Sequence, residues 1–192
     1  MPPRRVVLAE DEALIRLDLK EMLEEEGYEV VGEAGDGQTA VRMARDLEPD
    51  LVVMDIKMPG MDGLRAAERI SGDRLAPVLI LTAFSQKDLV DRAAQAGAMG
   101  YLVKPFQKAD VVPAVELAVA RHQERMALER EVTGLEERLE ARKLVDRAKG
   151  ILMDGYGMKE GDAFRFLQKA AMDGRLRMKE VARRVVEGDL RA

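Results

Sequence analysis

The sequence predicts a doubly wound α/β domain followed by a smaller all-helical region. Within the first 120 residues or so, short apolar runs alternate five times with amphipathic segments. The first, third and fourth runs are continuously apolar, which is typical of parallel strands that helices cover on both faces. After about Pro113 no strand pattern returns, although apolar residues continue at helical spacing. These observations together predict a parallel sheet and then a helical appendage.

The first half of the α/β region contains three predicted strands and the helices between them. Apolar runs place the strands at residues 5–9, 28–34 and 51–55. A helix within residues 12–26 is indicated by apolar residues three and four apart, and Gly27 ends it. These residues are Leu14, Ile15, Leu19, Met22 and Leu23. A turn at 35–37 precedes the next helix, which Pro49 ends.

The second half repeats the pattern and then extends into a long helix. A short helix at 64–70 precedes the fourth strand at 77–82, and a helix near 86–96 ends at Gly97. The fifth strand covers 101–104, and a long helix begins near Lys108. Three short helices are predicted in the tail, separated by glycine-containing turns at 155–157 and 173–174. They cover residues 142–153, 160–172 and 178–187.

Composition and charge narrow the class of protein. The chain has 192 residues, a net charge of −5 and no cysteine, which excludes disulfides and thiolate metal sites. No apolar run reaches the roughly 18–20 residues of a membrane span, and the N-terminus does not resemble a secretion signal. A cytoplasmic location is therefore expected. Residues 1–120 carry a net charge of −8, whereas the chain from Arg142 onward carries +5. This asymmetry indicates two domains with different partners, unless both halves are simply well solvated.

A coiled-coil seam is predicted between the two domains. Leu128, Val132, Leu135 and Leu139 follow a 4-3-4 spacing within charged flanks, over about two heptads. The alternative is a helix that packs on its own domain, and Gly134 weakens the segment by about 1 kcal/mol relative to alanine. The predicted division is a domain at 1–120, a helical linker at 121–141 and a three-helix domain at 142–192.

Polar residues follow four of the five strands. Glu10 and Asp11 follow the first strand, Asp55 ends the third, and Thr82 and Lys104 end the fourth and fifth. In doubly wound sheets, ligands bind beyond the carboxyl ends of the strands. Three carboxylates there would repel one another unless a cation joined them, and oxygen ligands favour Mg²⁺. Each residue alone has an ordinary structural explanation, but their joint placement suits phosphoryl transfer onto a carboxylate.

These residues, with the segment Asp55-Ile-Lys-Met-Pro-Gly-Met-Asp-Gly63, Thr82-Ala83 and Lys104-Pro105, resemble the receiver domain of two-component response regulators. The resemblance covers about residues 4–120 and implies a flavodoxin-like fold with strand order 2-1-3-4-5. It also implies that a sensor histidine kinase phosphorylates Asp55. The implied Mg²⁺ ligands are Asp11, Asp55 and the carbonyl of Lys57, with Glu10 assisting through water. Thr82, Ala83, Tyr101 and Lys104 are the implied phosphoryl-binding and switch residues, and Pro105 follows a cis peptide bond.

The tail resembles an ANTAR domain over about residues 136–190. The matching features are the segment Ala148-Lys-Gly-Ile-Leu-Met153, then Ala163, Phe164, Leu167, Ala170, Ala171, Val181 and Ala182. The resemblance implies RNA binding and transcription antitermination, with phosphorylation promoting a homodimer that binds tandem RNA hairpins near a terminator.

The RNA-contacting residues are predicted as a group. Basic candidates for phosphate contacts are Lys149, Arg165, Lys169, Arg175, Arg177, Arg183 and Arg184. Phe164 shares a helical pattern with Ala163 and Leu167, so we expect it in the core. Phe166 lies off that pattern and is the better candidate of the two for stacking on bases.

Two other functions fit parts of the tail. Three helices and a positive charge also suit a DNA-binding helix-turn-helix, although a turn at 173–177 would be longer than the usual three or four residues. An enzyme is the third possibility. The tail lacks a nucleophile–base pair, a metal cluster and a glycine-rich loop, so the sequence predicts a regulatory protein that is not an enzyme.

Overall fold

The computed structural model describes residues 3–83 and 87–190, and of Lys87 only the backbone. In this part of the chain, strands and helices alternate and three helices follow. The elements are β1 (Arg5–Ala9), α1 (Ala13–Glu25), β2 (Glu29–Ala34), α2 (Gly37–Leu47), β3 (Leu51–Asp55), α3 (Gly63–Gly72), β4 (Val78–Thr82), α4 (Lys87–Gln95), β5 (Gly100–Val103), α5 (Lys108–Tyr156), α6 (Glu160–Gly174) and α7 (Met178–Glu187). The chain forms two compact units, residues 1–126 and 127–192. Among the described residues, no helix combines the length and apolar character that crossing a membrane requires.

The five strands form one parallel sheet in the order β2-β1-β3-β4-β5, which confirms the predicted flavodoxin-like topology. β1 lies beside both β2 and β3, so the order reverses there. In the register between β3 and β4, Asp55 is paired with Leu81. The carboxyl ends of β1, β3 and β4 therefore lie at the same edge of the sheet.

Every residue of β3 and β4 is buried, as the continuous apolar runs predict. Alternate residues of each strand enter different cores, because successive side chains of a strand point to opposite faces. Val52 and Met54 pack with residues of α2, α3 and α4. Leu51 and Val53 pack with residues of α1 and α5 on the other face. Helices therefore cover both faces of the sheet.

The loop from β3 to α3 holds the end of β3 in place. The carboxylate of Asp62 accepts a hydrogen bond of 2.8 Å from the backbone N–H of Arg65 and so caps α3. Gly63 donates its backbone N–H to the carbonyl of Ile56 at 2.8 Å. A Cβ at Gly63 would lie 1.9 Å from the carbonyl oxygen of Asp55, so only glycine allows this close approach. Gly60 adopts a positive φ of 72°, which suits the Pro-Gly turn.

Two predicted boundaries after the sheet are wrong. The predicted helix at 142–153 is not separate, because α5 continues without a break from Lys108 to Tyr156. α6 continues through the predicted turn at 173–174, so that only residues 175–177 separate α6 from α7. Glycine at 174 is tolerated as the last residue of the helix, and Arg175 takes the left-handed conformation that ends it.

The second unit has a small core of its own. Its buried side chains are Ala148, Leu152, Ala163, Leu167, Val181, Ala182 and Val185, which come from α5, α6 and α7. Along each helix these residues lie at intervals of three or four positions, so the apolar stripe of each helix faces the other two helices. The predicted three-helix arrangement is present, with the C-terminal part of α5 as its first helix.

We expect Gly63→Ala to lower the free energy of unfolding of the first unit by about 2–4 kcal/mol, because its Cβ would meet the Asp55 carbonyl. Gly72→Ala is the matched control in the same helix, where nothing lies within 4 Å of the added Cβ. That control should be neutral or stabilising by up to about 1 kcal/mol. Urea unfolding of both variants measures the difference, and equal stabilities would contradict the close approach.

Candidate functional site

The residues that follow the strands line one cleft at the carboxyl edge of the sheet. Its volume is about 240 Å³. The lining residues are Asp11, Glu12, Asp55, Ile56, Lys57, Thr82, Ala83, Leu89 and Lys104. The convergence expected from the ends of β1, β3, β4 and β5 is therefore present.

Three carboxylates form an acidic cluster at this cleft, and two of them, Asp11 and Asp55, line it. One oxygen each of Glu10, Asp11 and Asp55 lies within 4.8 Å of the others. Glu10 is 1% exposed and Asp55 6% exposed, whereas Asp11 is open to solvent. Buried carboxylates this close repel each other, so the cluster needs positive charge. Burial also raises the pKa of Glu10 above its ordinary value, although the hydrogen bond from Lys104 opposes the change.

Lys104 supplies part of that positive charge. Its Nζ lies 2.5 Å from Oε2 of Glu10 and 2.8 Å from Oδ1 of Asp55. Burial by itself would lower the pKa of Lys104, but hydrogen bonds to the carboxylates of Asp55 and Glu10 outweigh burial and raise it. The ammonium group therefore stays charged at neutral pH and is directed at the end of β3.

The two oxygens of Asp55 have different surroundings. Oδ2 accepts a hydrogen bond of 2.7 Å from the backbone N–H of Lys57, which fixes the carboxylate on the loop after β3. Oδ1 faces the ammonium group of Lys104 at 2.8 Å. A group that reacts with Asp55 would thus approach an oxygen that already has a cation beside it.

The donor set fits Mg²⁺. Three carboxylates close together provide the hard oxygen ligands that Mg²⁺ prefers, and the exposed Asp11 leaves room for bound water. Lys57 also lines the cleft, so its carbonyl is a further candidate ligand. When bound there, Mg²⁺ would supply positive charge to the oxygens of a phosphoryl group.

The two implied switch residues lie on one face of the sheet. Tyr101 is paired with Ile80, and Thr82 lies two residues along β4 from Ile80, so the side chains of all three project to the same side. Thr82 is buried at the cleft, whereas Tyr101 is 47% exposed. Ala83 is exposed at the rim, and the peptide bond between Lys104 and Pro105 is cis, as the resemblance implies.

The predicted seam is open to solvent in the single chain. Leu128, Val132, Leu135 and Leu139 are each more than half exposed. This exposure argues against the alternative in which the helix buries these residues on its own domain. The seam therefore remains available for another helix.

The structure reverses the prediction for the two phenylalanines of α6. Phe166 is partly buried and packs on the core of the second unit, whereas Phe164 is 44% exposed. Ala163, Phe166, Leu167 and Ala170 follow the spacing i, i+3, i+4, i+7, so the periodicity itself places Phe166 on the buried stripe. Phe166 is therefore a packing residue, and Phe164 is the aromatic ring open to solvent.

The basic residues proposed for RNA contact fall into two groups. Lys149 lies 2.9 Å from both Asp146 and Glu160, and Arg165 forms an ion pair with Asp162. Among the described residues, no ion pair engages Lys169, Arg175, Arg177, Arg183 or Arg184, and these five are exposed, as Arg165 also is. Which of these basic residues pair with carboxylates depends on the fold and is not evident from their spacing in the sequence.

Comparisons with known proteins agree with this geometry. The family model of the response regulator receiver domain matches residues 6–116, and that of the ANTAR domain matches residues 133–186. The transcriptional regulatory protein PdtaR of Mycobacterium tuberculosis is 63% identical over 185 residues, which cover 96% of this chain and 90% of that protein. The chemotaxis protein CheY of Thermotoga maritima is 42% identical over 113 residues, covering 58% of this chain and 94% of that protein.

Solved structures also resemble the first unit. A two-component response regulator of the LuxR family from Aurantimonas sp. SI85-9A1 has a TM-score of 0.58 and 33% identity, covering 67% of this chain and 98% of that chain. CheY in a CheX-CheY-BeF3-Mg+2 complex from Borrelia burgdorferi has a TM-score of 0.56 and 29% identity. The match covers 59% of this chain and 87% of that chain.

We expect Mg²⁺ to raise the melting temperature of the first unit, because an ion that binds only the folded state stabilises it. The gain is about 2.7 kcal/mol at a free concentration of 100 Kd. Asp11→Asn should remove most of this gain, whereas Glu68→Gln, an exposed acid outside the cluster, should retain it. Thermal unfolding with and without Mg²⁺ measures the gain, and an equal gain in both variants would place the ion elsewhere.

Proposed function

Because this chain belongs to the response regulator receiver family and also carries an ANTAR domain, we propose that it is a phosphorylation-controlled RNA-binding regulator of transcription. A sensor histidine kinase phosphorylates Asp55, and the phosphorylated chain dimerises and binds RNA hairpins to cause antitermination. The observation that carries the proposal is the position of Asp55 within the acidic cluster and beside Lys104, on the same chain as the ANTAR match. Such a regulator acts in the cytoplasm, where transcription takes place.

The chemistry follows from the surroundings of Asp55. Oδ1 attacks the phosphorus of a phosphohistidine, the P–N bond breaks as the P–O bond forms, and the imidazole leaves with its electron pair. Lys104 then exchanges its contact with Asp55 for one with a phosphoryl oxygen, since the new group brings about −1.5 to −2 charge. The backbone N–H of Lys57 keeps the carboxyl group oriented through Oδ2.

An apolar surface beside the cleft suits the kinase. Leu14 and Leu17 of α1 are 83% and 51% exposed. Ile15 and Asp18 of the same helix line a groove of about 300 Å³ together with Lys104, Pro105 and Phe106. Lys104 belongs to both the groove and the phosphorylation cleft, so a helix docked on α1 would bring its histidine close to Asp55. Exposed apolar patches of this kind are typical of protein–protein contacts.

Phosphorylation is proposed to act through the switch pair. Thr82 would move toward the phosphoryl group, and Tyr101 would turn inward into the space that Thr82 leaves. That movement changes the surface formed by α4, β5 and α5. Because α5 begins in the first unit and ends in the second, a changed α5 surface favours pairing of the seam residues in two chains.

DNA binding is the second candidate function. The three-residue turn at 175–177 has the length of a helix-turn-helix, so the turn-length argument against it does not hold. The ANTAR match favours RNA, and the nucleic acid bound in cells distinguishes the two functions.

We expect Asp55→Ala to abolish phosphorylation without unfolding the domain, because it removes one charge from a repulsive cluster. Transfer of labelled phosphate from a kinase to the wild type and to Glu68→Gln, but not to Asp55→Ala, is the predicted result. In cells, crosslinking and sequencing should then recover paired-hairpin RNA with the wild type and not with Asp55→Ala. Phosphate on Asp55→Ala would disprove the site, and recovery of duplex DNA would support the second candidate.

Leu135→Lys should weaken dimerisation of the phosphorylated chain by at least about tenfold, since it places a charge in the apolar seam. Thr133→Lys is the matched control, because it adds the same charge to the same helix away from the 4-3-4 positions. Sedimentation equilibrium measures both dissociation constants. The seam is not the dimer contact if Leu135→Lys dimerises as the wild type does.

A further inference from the structure

The positive charge of the second unit is concentrated in a short segment. Residues 127–174 contain nine basic and ten acidic residues, a net charge of −1. Residues 175–184 contain five basic residues and only Glu180 as an acid, a net charge of +4. An anionic partner of this unit is therefore attracted mainly to the turn after α6 and to α7.

The ion pairs of the second unit add to the difference in charge between residues 127–174 and residues 175–184. Lys149 and Arg165 lie beside carboxylates, which offset part of their attraction for an anionic partner. Within residues 87–190, none of the basic residues at 175–184 forms an ion pair with a carboxylate. These five residues, which we call the 175–184 surface, are Arg175, Arg177, Lys179, Arg183 and Arg184.

The turn between α6 and α7 presents two of these arginines in a defined way. Leu176 donates its backbone N–H to the carbonyl of Ala171 at 2.9 Å, and its side chain packs on the core. Arg175 and Arg177, on either side of it, are exposed. The anchored leucine therefore holds the two flanking side chains outside the core, on one short turn.

Arg175 occupies a position that usually belongs to glycine. Its φ is 51° and its ψ 38°, the left-handed conformation that commonly ends a helix. A residue with a Cβ is strained there by roughly 1 kcal/mol, and glycine is present one position earlier, at 174. Glu48 and Arg74 take the same conformation, so the strain at Arg175 does not by itself identify a function. The arginine does place a cationic side chain on the turn where glycine would leave none.

α7 continues the same surface. Val181, Ala182 and Val185 are buried in the core, so Arg183 and Arg184 lie on the exposed side of the helix. α7 begins at Met178, directly after the turn, and both arginines lie within its first two turns. The turn and the exposed side of α7 thus carry these basic residues together.

We propose that the 175–184 surface binds the phosphate backbone of an RNA stem, and that Lys149 and Arg165 do not contact the RNA. This assignment rests on the proposed RNA-binding function. Arginines contact phosphates through several N–H donors, and such contacts position a protein on a duplex without reading its sequence. The ANTAR match favours RNA over DNA as the duplex.

The test uses the full chain with Mg²⁺ and beryllofluoride, and a fluorescent RNA with two hairpins. Arg175→Gly with Arg177→Gln should weaken binding at least about tenfold. It should also reduce the slope of log K against log[salt] by about 0.7–0.9 for each phosphate that the variant no longer neutralises. Thermal unfolding should show no loss of stability, because glycine relieves the left-handed strain.

The control is Lys149→Gln with Arg165→Gln, which removes the same charge and should bind within about twofold of the wild type. Equal losses in both double variants would overturn the assignment, since net charge alone would then explain binding. If the double variant of Arg175 and Arg177 binds the RNA as the wild type does, the assignment of the 175–184 surface is overturned, but the proposed RNA-binding function stands. Failure of the wild type to bind the RNA would overturn both, and tighter binding to a matched DNA duplex would replace RNA with DNA.

Discussion

The structure of the first unit depends on how buried negative charge is held at the edge of a sheet. Glu10 and Asp55 are almost wholly buried beside each other, an arrangement that is unfavourable without a cation. Lys104 contacts both, although it lies 94 residues from Glu10 in sequence. β1, β3 and β5 must therefore end at the same edge for the cluster to exist. The parallel sheet and its strand order meet that requirement.

The same interaction links the end of β3 to the end of β5. Lys104 is held by charges for which a phosphoryl group or a metal ion would compete, so a group added to Asp55 would alter contacts of both strands. Thr82 and Tyr101 lie on one face of the neighbouring strands β4 and β5. α5 packs on the opposite face of the sheet through Val111 and Val115, so a rearrangement of Thr82 and Tyr101 would have to reach it through β4 and β5 themselves.

In the second unit, the packing residues and the excess of positive charge lie in different places. Its core uses small and aliphatic side chains on three helices, and its ion pairs engage Lys149 and Arg165 on α5 and α6. The turn after α6 and the exposed side of α7 carry an excess of positive charge. A partner can thus bind there without disturbing the packing that holds the helices together.

Much of this protein follows from its sequence alone, because local patterns report burial. Continuous apolar runs located β1, β3 and β4, and polar residues at their ends located Asp55 and its neighbours.

Tertiary structure decided the features that depend on contacts between residues distant in sequence, or on whether a helix continues past a predicted end. The approach of Gly63 to the Asp55 carbonyl needs the folded loop. The burial of Phe166, by contrast, follows from its spacing with Ala163, Leu167 and Ala170. α5 passes through the expected boundary because nothing in residues 121–141 breaks a helix. The fold also decides which basic residues pair with carboxylates. Glu160, for example, reaches Lys149 only when α5 and α6 pack together.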